Sequence, residues 1–175
     1  DGKFVIGSRF LLEAEVVRHH ERIFHSLALN DVVLRKGDSG RLIEIKVEVD
    51  GEFTHILRAD GAIVATPTGS TAYALSANGP ILHPSVPCIA LVPLCPHGLT
   101  DRPITLSDQS RVDFTLLPPH EAIVHFDGQN RFDICAGDRV HIARSPHTVT
   151  FLHPPGYSYF AMLREKLHWS IFPRQ

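Results

Sequence analysis

Cysteine is scarce in this chain, and long hydrophobic runs are absent. Three cysteines are present, an odd number that argues against a disulfide framework and suits a reducing cytosol. No apolar run approaches the roughly 20 residues that a membrane-spanning helix requires, and Asp1-Gly2-Lys3 does not begin a signal peptide. The expected location is therefore cytoplasmic, and no membrane partner is expected.

The chain also lacks an excess of either charge. Lysine and arginine number 17 against 19 aspartate and glutamate residues, which gives a net charge of −2 with histidine neutral. This balance supplies no electrostatic reason to expect nucleic acid as a partner. A chain of 175 residues fits one domain and can bury a substantial core.

Alternation of apolar and polar residues predicts β-structure in the first half of the chain. Residues 9–17 alternate as in a half-buried strand, and the odd-numbered residues of Ile23–Leu29 continue the same period towards a second strand. The clearest signal is a hairpin. It combines an alternating run, Ile43–Val49, an Asp50-Gly51 dipeptide that favours a type I′ turn, and a return strand, Phe53–Leu57.

The second half repeats this pattern and then changes period. Alternations predict strands over 112–116, 122–126 and 140–142, and a separate short apolar run covers 149–152. Tyr159–Leu167 instead has apolar residues at helical spacing. Short strands at close spacing indicate an all-β sandwich or barrel. The predicted fold is therefore mainly β, in one domain.

The stretch from Asp60 to Ser76 carries more polar detail than any other. A turn dipeptide, Asp60-Gly61, precedes a buried strand, Ala62–Ala65, and a hydroxyl-rich segment, 66–71, leads into a short helix ending near Ala77. A helix start leaves backbone N–H groups unpaired and can receive a polar or anionic ligand. No lysine follows the glycine, so this is not a Walker loop. A simple Ser/Thr cap after a buried strand is the alternative.

Other candidate positions also have two interpretations. Asn30-Asp31, at the end of a predicted strand, can bind vicinal ribose hydroxyls, because a carboxylate accepts hydrogen bonds and an amide both donates and accepts them. An Asx turn is the alternative. Arg58 and Asp60 can equally form a surface ion pair at a hairpin turn. Two cysteines and two histidines within 83–97 lack the close cysteine spacing of structural zinc, so no metal site is predicted.

Several segments together resemble the NAD kinase family. They are Ala28–Val33, with Asp31 where the family has Glu, Asp60-Gly61, Thr66–Tyr73, Pro96–Pro103, Asp127-Gly128-Gln129, Tyr157–Phe160 and Leu167–Ser170. These motifs occur in the family's order over almost the whole chain. The family's Gly-Gly-Asp-Gly phosphate loop, which lies in an amino-terminal α/β domain, does not occur in the sequence.

The resemblance implies the carboxy-terminal, NAD-binding part of an enzyme that transfers the ATP γ-phosphoryl group to the 2′-hydroxyl of the adenosine ribose of NAD, giving NADP. It implies a two-layer β-sandwich-like domain over 1–175, with a short helix after Thr66–Thr71 and a carboxy-terminal helix. The tail, 156–175, is expected to pack on the amino-terminal domain. The NAD-binding residues implied are Asn30, Asp31, Arg41, Arg58, Asp60, Thr71, Ala72, Tyr73, Ala74, Leu75, Ser76 and Gln129.

The resemblance also implies a homo-oligomer, a dimer or tetramer, that uses ATP with magnesium. The catalytic base and the triphosphate cradle are expected in the amino-terminal domain. No catalytic residue is therefore assigned within this chain, which is expected to bind NAD without turnover. Two alternatives remain: a piece that serves binding or oligomerisation only, and a lipid kinase related to the diacylglycerol and sphingosine kinases. The Asn30-Asp31 and Thr71-Ala72-Tyr73 motifs argue against the lipid kinase.

Overall fold

Two six-stranded antiparallel sheets dominate the computed structural model, which describes residues 3–37 and 40–169. The strands are β1 (Val5–Arg18), β2 (Glu21–Ala28), β3 (Asp31–Lys36), β4 (Ile43–Val49), β5 (Glu52–Ala59), β6 (Gly61–Ala65), β7 (Cys88–Leu94), β8 (Ile104–Ser107), β9 (Val112–Leu116), β10 (Glu121–Phe126), β11 (Asn130–Cys135) and β12 (Arg139–His153). A 3₁₀ turn (Gly69–Thr71) precedes helix α1 (Tyr73–Ser76), and helix α2 (Tyr159–Lys166) follows β12. Sheet I has the order β2-β1-β12-β9-β4-β5, and sheet II has the order β11-β10-β3-β6-β7-β8.

The main core lies between the two sheets. Inward-facing residues of sheet I, such as Leu12, Val47 and Phe114, join Val32 and Val64 of sheet II in one apolar cluster, and all five are fully buried. Each comes from a strand whose alternate residues face inward, as a half-buried strand requires. The two layers confirm the predicted sandwich and exclude the barrel.

A second, smaller cluster covers part of the outer face of sheet II. Val33, Ile63 and Ala65 point outward from β3 and β6, and Ala74 of α1 and Leu82 pack in the same cluster. Among the residues that the structure describes, none of the cluster's members comes from β10 or β11. The segment after β6 therefore covers the outer face of sheet II only on the β6 side of β3. The candidate site lies at the edge of this covered area.

The chain divides into two compact units. The larger unit is Phe10–Thr148, and the smaller one joins Asp1–Arg9 with Val149–Gln175. Within the smaller unit, Ser158 caps α2 by accepting a hydrogen bond from the Ala161 amide at 3.3 Å. Predicted motif residue Ser170 lies outside the described residues, and the docking of the tail on another domain stays a prediction.

Pairing between β1 and β2 corrects the phase of the second strand. The sequence predicted that Ile23 and Leu27 share its apolar, inward face, but these side chains are 37% and 38% exposed, and Phe24 and Ala28 face inward instead. Buried Val16 of β1 stands opposite Phe24, so the neighbouring strand sets the phase. A shift of one residue exchanges the two faces of a strand.

Two turns test the sequence predictions further. The hairpin turn is confirmed, because Asp50 and Gly51 both have positive φ (53° and 82°) as a type I′ turn requires. The hairpin turn considered at Asp60-Gly61 is wrong: here the chain crosses from β5 in sheet I to β6 in sheet II. Gly61 is needed for close approach, because a Cβ there would lie 2.1 Å from the carbonyl oxygen of Leu34.

Strand boundaries differ from the prediction in the second half. The alternation at 140–142 and the separate run at 149–152 belong to one strand, β12. Strands β3, β7, β8 and β11 were not predicted. In α2, Phe160 is 60% exposed and Leu163 is 2% exposed.

Candidate functional site

The hydroxyl-rich segment after β6 is tied to the turn between β2 and β3. The Thr66 hydroxyl donates to the Leu29 carbonyl at 2.6 Å, and the Thr66 amide donates to the Asn30 carbonyl at 2.9 Å. The Gly69 amide donates to the Thr66 hydroxyl at 3.1 Å. A Cβ at Gly69 would lie only 2.0 Å from the Asn30 carbonyl oxygen, so the two segments touch through their backbones.

The predicted single helix over 71–77 is wrong. The 3₁₀ turn and α1 are separated at Ala72, whose φ and ψ are −105° and −129°. Thr68 and Ala72, which precede the two segments, make no side-chain cap hydrogen bond. The Thr66 hydroxyl and carbonyl instead accept from the amides of Gly69 and Ser70, which is the bonding expected of a Ser/Thr cap after the buried strand. Ser70 is buried, donates to the Pro67 carbonyl at 2.7 Å and accepts from the Leu82 amide at 3.0 Å. Its role is to hold the loop.

The predicted stop after α1 is confirmed. Asn78 adopts positive φ (61°), and the Gly79 amide donates to the Ala74 carbonyl at 2.8 Å. This bond closes a helix end in the manner of a Schellman motif. The one-turn helix is therefore held at both ends, which leaves Tyr73 on a rigid support.

The Asp127 carboxylate holds the turn at 29–31. It accepts hydrogen bonds from the amides of Leu29 (2.8 Å), Asn30 (2.7 Å) and Asp31 (3.1 Å). Asp127 itself has a positive φ of 51°, a conformation that aspartate tolerates better than most residues. The β10–β11 turn thus fixes the direction in which the Asn30 and Asp31 side chains leave the backbone.

Asp31 is a buried carboxyl beside a second carboxylate. Asp31 is 4% exposed. Burial, and then the charge of Asp127, raise its pKa from 3.8 to about 6. Within the described part of the chain, no hydrogen-bond donor is paired with the Asp31 carboxyl, which borders a cavity. It can therefore accept a hydrogen bond from a ligand hydroxyl when it is ionised.

That cavity has a volume of about 380 Å³ and lies where the cover of sheet II ends. The Asn30-Asp31 turn and Asp127 border one side, Tyr73 of α1 borders another, and Val33 lies between them on the sheet. Tyr73 is 47% exposed, so its ring is available for stacking. The volume is in the range of small-molecule sites, roughly 300–1,000 Å³.

A smaller cavity of about 190 Å³ adjoins the first and shares Tyr73 and Arg35 with it. Asp60 and Lys36 border this second cavity, and their side chains form an ion pair at 2.5 Å. The expected ion pair between Arg58 and Asp60 is therefore replaced by one with Lys36. The reason is that Asp60 leaves sheet I and meets the end of β3, where the Lys36 amide also donates to its carbonyl.

The remaining predicted residues lie at different distances from these cavities. Ala72 borders the larger cavity, whereas Ala74 is fully buried in the second cluster. Thr71 and Leu75 are half-buried and Ser76 is exposed.

Three further predicted residues are exposed on loops or strand ends. Arg41 lies in the bend before β4, Arg58 near the end of β5, and Gln129 in the turn after β10. The described cavities are not bordered by any of these three side chains, although Gly128, next to Gln129, borders the larger one.

Two residues of the larger cavity were missed from the sequence. Arg35 and His125 lie on β3 and β10, and the Arg35 Nε donates to the His125 Nε2 at 3.2 Å. His125 was a polar position in an alternating strand, which is typical of any solvated face. Arg35 follows the continuous apolar run Val32–Leu34, in a segment that was not predicted as a strand. Only the pairing of β3 with β10 brings them together.

Two features are not found within residues 3–37 and 40–169. There, no group of three or more histidine, cysteine, aspartate or glutamate side chains is arranged to hold a metal ion. In the same ranges, no helix has the length and apolar character needed to cross a membrane.

Residues 29–154 match the family model of the ATP-NAD kinase C-terminal domain. The chain is 64% identical over 174 residues to an NAD kinase of Azoarcus sp. (strain BH72), which covers 99% of this chain and 59% of that protein. It is 63% identical over 175 residues to an NAD kinase of Aromatoleum aromaticum, which covers 100% of this chain and 58% of that protein.

Solved structures show the same likeness. The yeast NADH kinase complexed with NADH has a TM-score of 0.88 and 28% identity, covering 95% of this chain and 51% of that one. An NAD kinase from Archaeoglobus fulgidus in complex with ATP has a TM-score of 0.78 and 28% identity, covering 93% and 60%.

The chain thus spans just under three-fifths of the length of these curated relatives. The matches are to NAD kinases and do not favour the lipid-kinase alternative. The sandwich, the ordered motifs and the family model agree, and the chain belongs to the ATP-NAD kinase family through its C-terminal domain.

Proposed function

We propose that this chain forms the acceptor-binding part of an NAD kinase. It holds NAD so that the 2′-hydroxyl of the adenosine ribose can receive the γ-phosphoryl group of ATP. The observation that carries the proposal is the larger cavity, where the Asn30-Asp31 turn faces Ala72 and Tyr73. The proposed reaction follows from family membership, and the cavity is bordered by groups that suit the acceptor, NAD.

Each group has a chemical task in this proposal. The ionised Asp31 carboxylate accepts hydrogen bonds from ribose hydroxyls, and the Asn30 amide both donates and accepts. The exposed Tyr73 ring stacks on a planar base. Asp60 lies at the adjoining cavity and contacts the other half of the dinucleotide. The remaining contacts are proposed for Arg41, Arg58, Thr71, Ala72, Ala74, Leu75, Ser76 and Gln129.

The transfer itself needs groups that we do not assign to this chain. Phosphoryl transfer depends on positioning and on neutralising the charge of the transferred group, and magnesium is proposed to enter with ATP. The sequence contains no Gly-Gly-Asp-Gly loop. We therefore propose that this chain alone binds NAD without turnover, and that the base and the triphosphate cradle lie outside it.

We further propose a cytoplasmic homo-oligomer, a dimer or tetramer. The three cysteines, Cys88, Cys95 and Cys135, are all free thiols, which suits a reducing compartment. The resemblance to the family is the reason for the oligomer.

Calorimetric titration of NAD into this chain tests the binding site. Asn30→Ala and Asp60→Ala each remove a ligand hydrogen bond, and we expect a loss of about 1.5–3 kcal/mol where the lost bond involves a charged group. Because Asp60→Ala also leaves Lys36 unpaired, Lys36→Met serves as its control. Folded variants that bind NAD as tightly as the wild type would refute the site.

An NADP-forming assay with ATP and magnesium tests the division of labour. We expect turnover by the Azoarcus NAD kinase and none by this chain, although the chain binds NAD. An equal rate for both would place the base within this chain, among Asp31, Asp60 and Asp127.

A further inference from the structure

Arg35 lies at the junction of the two cavities and was not indicated by the sequence. Its side chain borders both of them. In the antiparallel pair of β3 and β10, Arg35 stands opposite Ile123 and His125 stands opposite Val33. Arg35 and His125 are thus diagonal neighbours on the outer face of sheet II, within reach of long side chains. That face is the floor of the larger cavity.

Arg35 differs from the neighbouring cationic residues, whose charges are neutralised by carboxylates. Lys36 pairs with Asp60 at 2.5 Å, and Arg131 pairs with Asp133 at 3.4 Å. Throughout residues 3–37 and 40–169, no carboxylate lies within ion-pair distance of the Arg35 guanidinium. Because the Arg35 side chain borders both cavities, its charge is available to a ligand there.

His125 orients this guanidinium. Its Nε2 accepts from the Arg35 Nε, which places the imidazole proton on Nδ1. Burial lowers the pKa of His125, and the charges of Arg35 and Arg131 lower it further against the opposing charge of Asp133. This shift favours the neutral ring, which can accept. With Nε held, the two NH₂ groups present the planar fork that binds phosphate oxygens in pairs.

Opposite charges thus line the two ends of one cavity. Asp31 and Arg35 share the outer face of β3 and are four residues apart, which is about 13 Å along a strand. The carboxylate end suits hydroxyl donors and the guanidinium end suits anions. A nucleotide carries both, as ribose hydroxyls and as phosphate.

We propose that Arg35, oriented by His125, binds a phosphate group of the dinucleotide while the Asn30-Asp31 turn binds its ribose. This inference rests on the proposed function and adds a phosphate-binding residue to it. Arg35 acts directly on the ligand, and His125 is a positioning residue that acts through Arg35.

Titration of the folded chain with three ligands tests the proposal. NAD and ADP carry a diphosphate, and adenosine does not. We expect Arg35→Gln to weaken NAD and ADP binding by about tenfold or more, the loss typical of a charged hydrogen bond, and to leave adenosine binding unchanged. Arg22→Gln, an equal charge change at a 61% exposed side chain of sheet I, should leave all three affinities unchanged.

Variants at His125 separate positioning from structure. His125→Ala should lose part of the preference for ADP over adenosine, and His125→Gln, whose amide oxygen can accept from Arg35, should retain it. The inference is overturned if Arg35→Gln weakens all three ligands equally or weakens none. Wild-type binding of ADP without NAD would instead overturn the proposed function and leave the phosphate site standing. No binding of any of the three would overturn both.

Discussion

The Asp31 carboxylate opposes folding, whereas its proposed role is to bind the ligand. Its pKa is raised to about 6 by burial and by Asp127. A carboxyl with a higher pKa in the folded than in the unfolded chain opposes folding when it is ionised. We expect Asp31→Asn to raise the free energy of unfolding at pH 7 by about 1–3 kcal/mol. Urea denaturation measures this change.

The same variant makes a prediction about pH and about NAD. The cost of ionised Asp31 is fully present above pH 6 and disappears as the pH falls towards 3.8, so the gain from Asp31→Asn should shrink over this window. Calorimetry should show weaker NAD binding by the variant at pH 7. A variant that is less stable than the wild type at pH 7 would show that the carboxylate stabilises the turn.

The Asp127 carboxylate stabilises the turn at 29–31. Its carboxylate accepts three backbone amides of the turn at 29–31. We expect Asp127→Ala to lower the free energy of unfolding by about 2–3 kcal/mol, because buried amides lose a charged acceptor, and to weaken NAD binding with it. Asp133→Asn is the control, since this side chain is 70% exposed and should change urea stability little. Equal stabilities of the two variants would contradict the stabilisation of the turn at 29–31 by Asp127.

At the scale of elements, the contact between the loop after β6 and the turn after β2 depends on one glycine. A Cβ at Gly69 would lie 2.0 Å from the Asn30 carbonyl oxygen, whereas one at Gly37 would meet no atom of the described residues within 4 Å. We expect Gly69→Ala to lower the free energy of unfolding by about 3 kcal/mol or more and to abolish NAD binding. Gly37→Ala should be near neutral in thermal melts. A Gly69→Ala variant that is stable and binds NAD would show that the loop can move away from Asn30 without loss of stability or binding.

Elements also show why the site was only partly visible in the sequence. Tyr73 and the Asn30-Asp31 turn were predicted because each belongs to a recognisable motif. Arg35 was missed because its segment was not predicted as a strand, and its partner is 90 residues away. Strand pairing brings the two together, and local pattern carries no information on pairing between distant strands.

For the whole chain, we predict self-association. Ile6 and Leu152, in the smaller unit, are 66% and 60% exposed, and large exposed apolar side chains favour association. Sedimentation at micromolar concentration should show species larger than a monomer. Ile6→Thr with Leu152→Thr should shift them towards the monomer, and Ile104→Thr, at a 43% exposed side chain of the larger unit, should not. A monodisperse wild-type monomer would contradict the prediction.

The sequence by itself determined the class of fold, the hairpin at Asp50-Gly51, the family and the motifs that border the cavity. These follow from short-range periodicity, from turn chemistry and from sequence motifs in a fixed order. Tertiary structure alone decided the inward face of β2, the crossing at Gly61, the pairing of Asp60 with Lys36 and the meeting of Arg35 with His125. Each of these depends on which strands lie side by side, and that choice is made by burial of the whole core and not by any local run of residues.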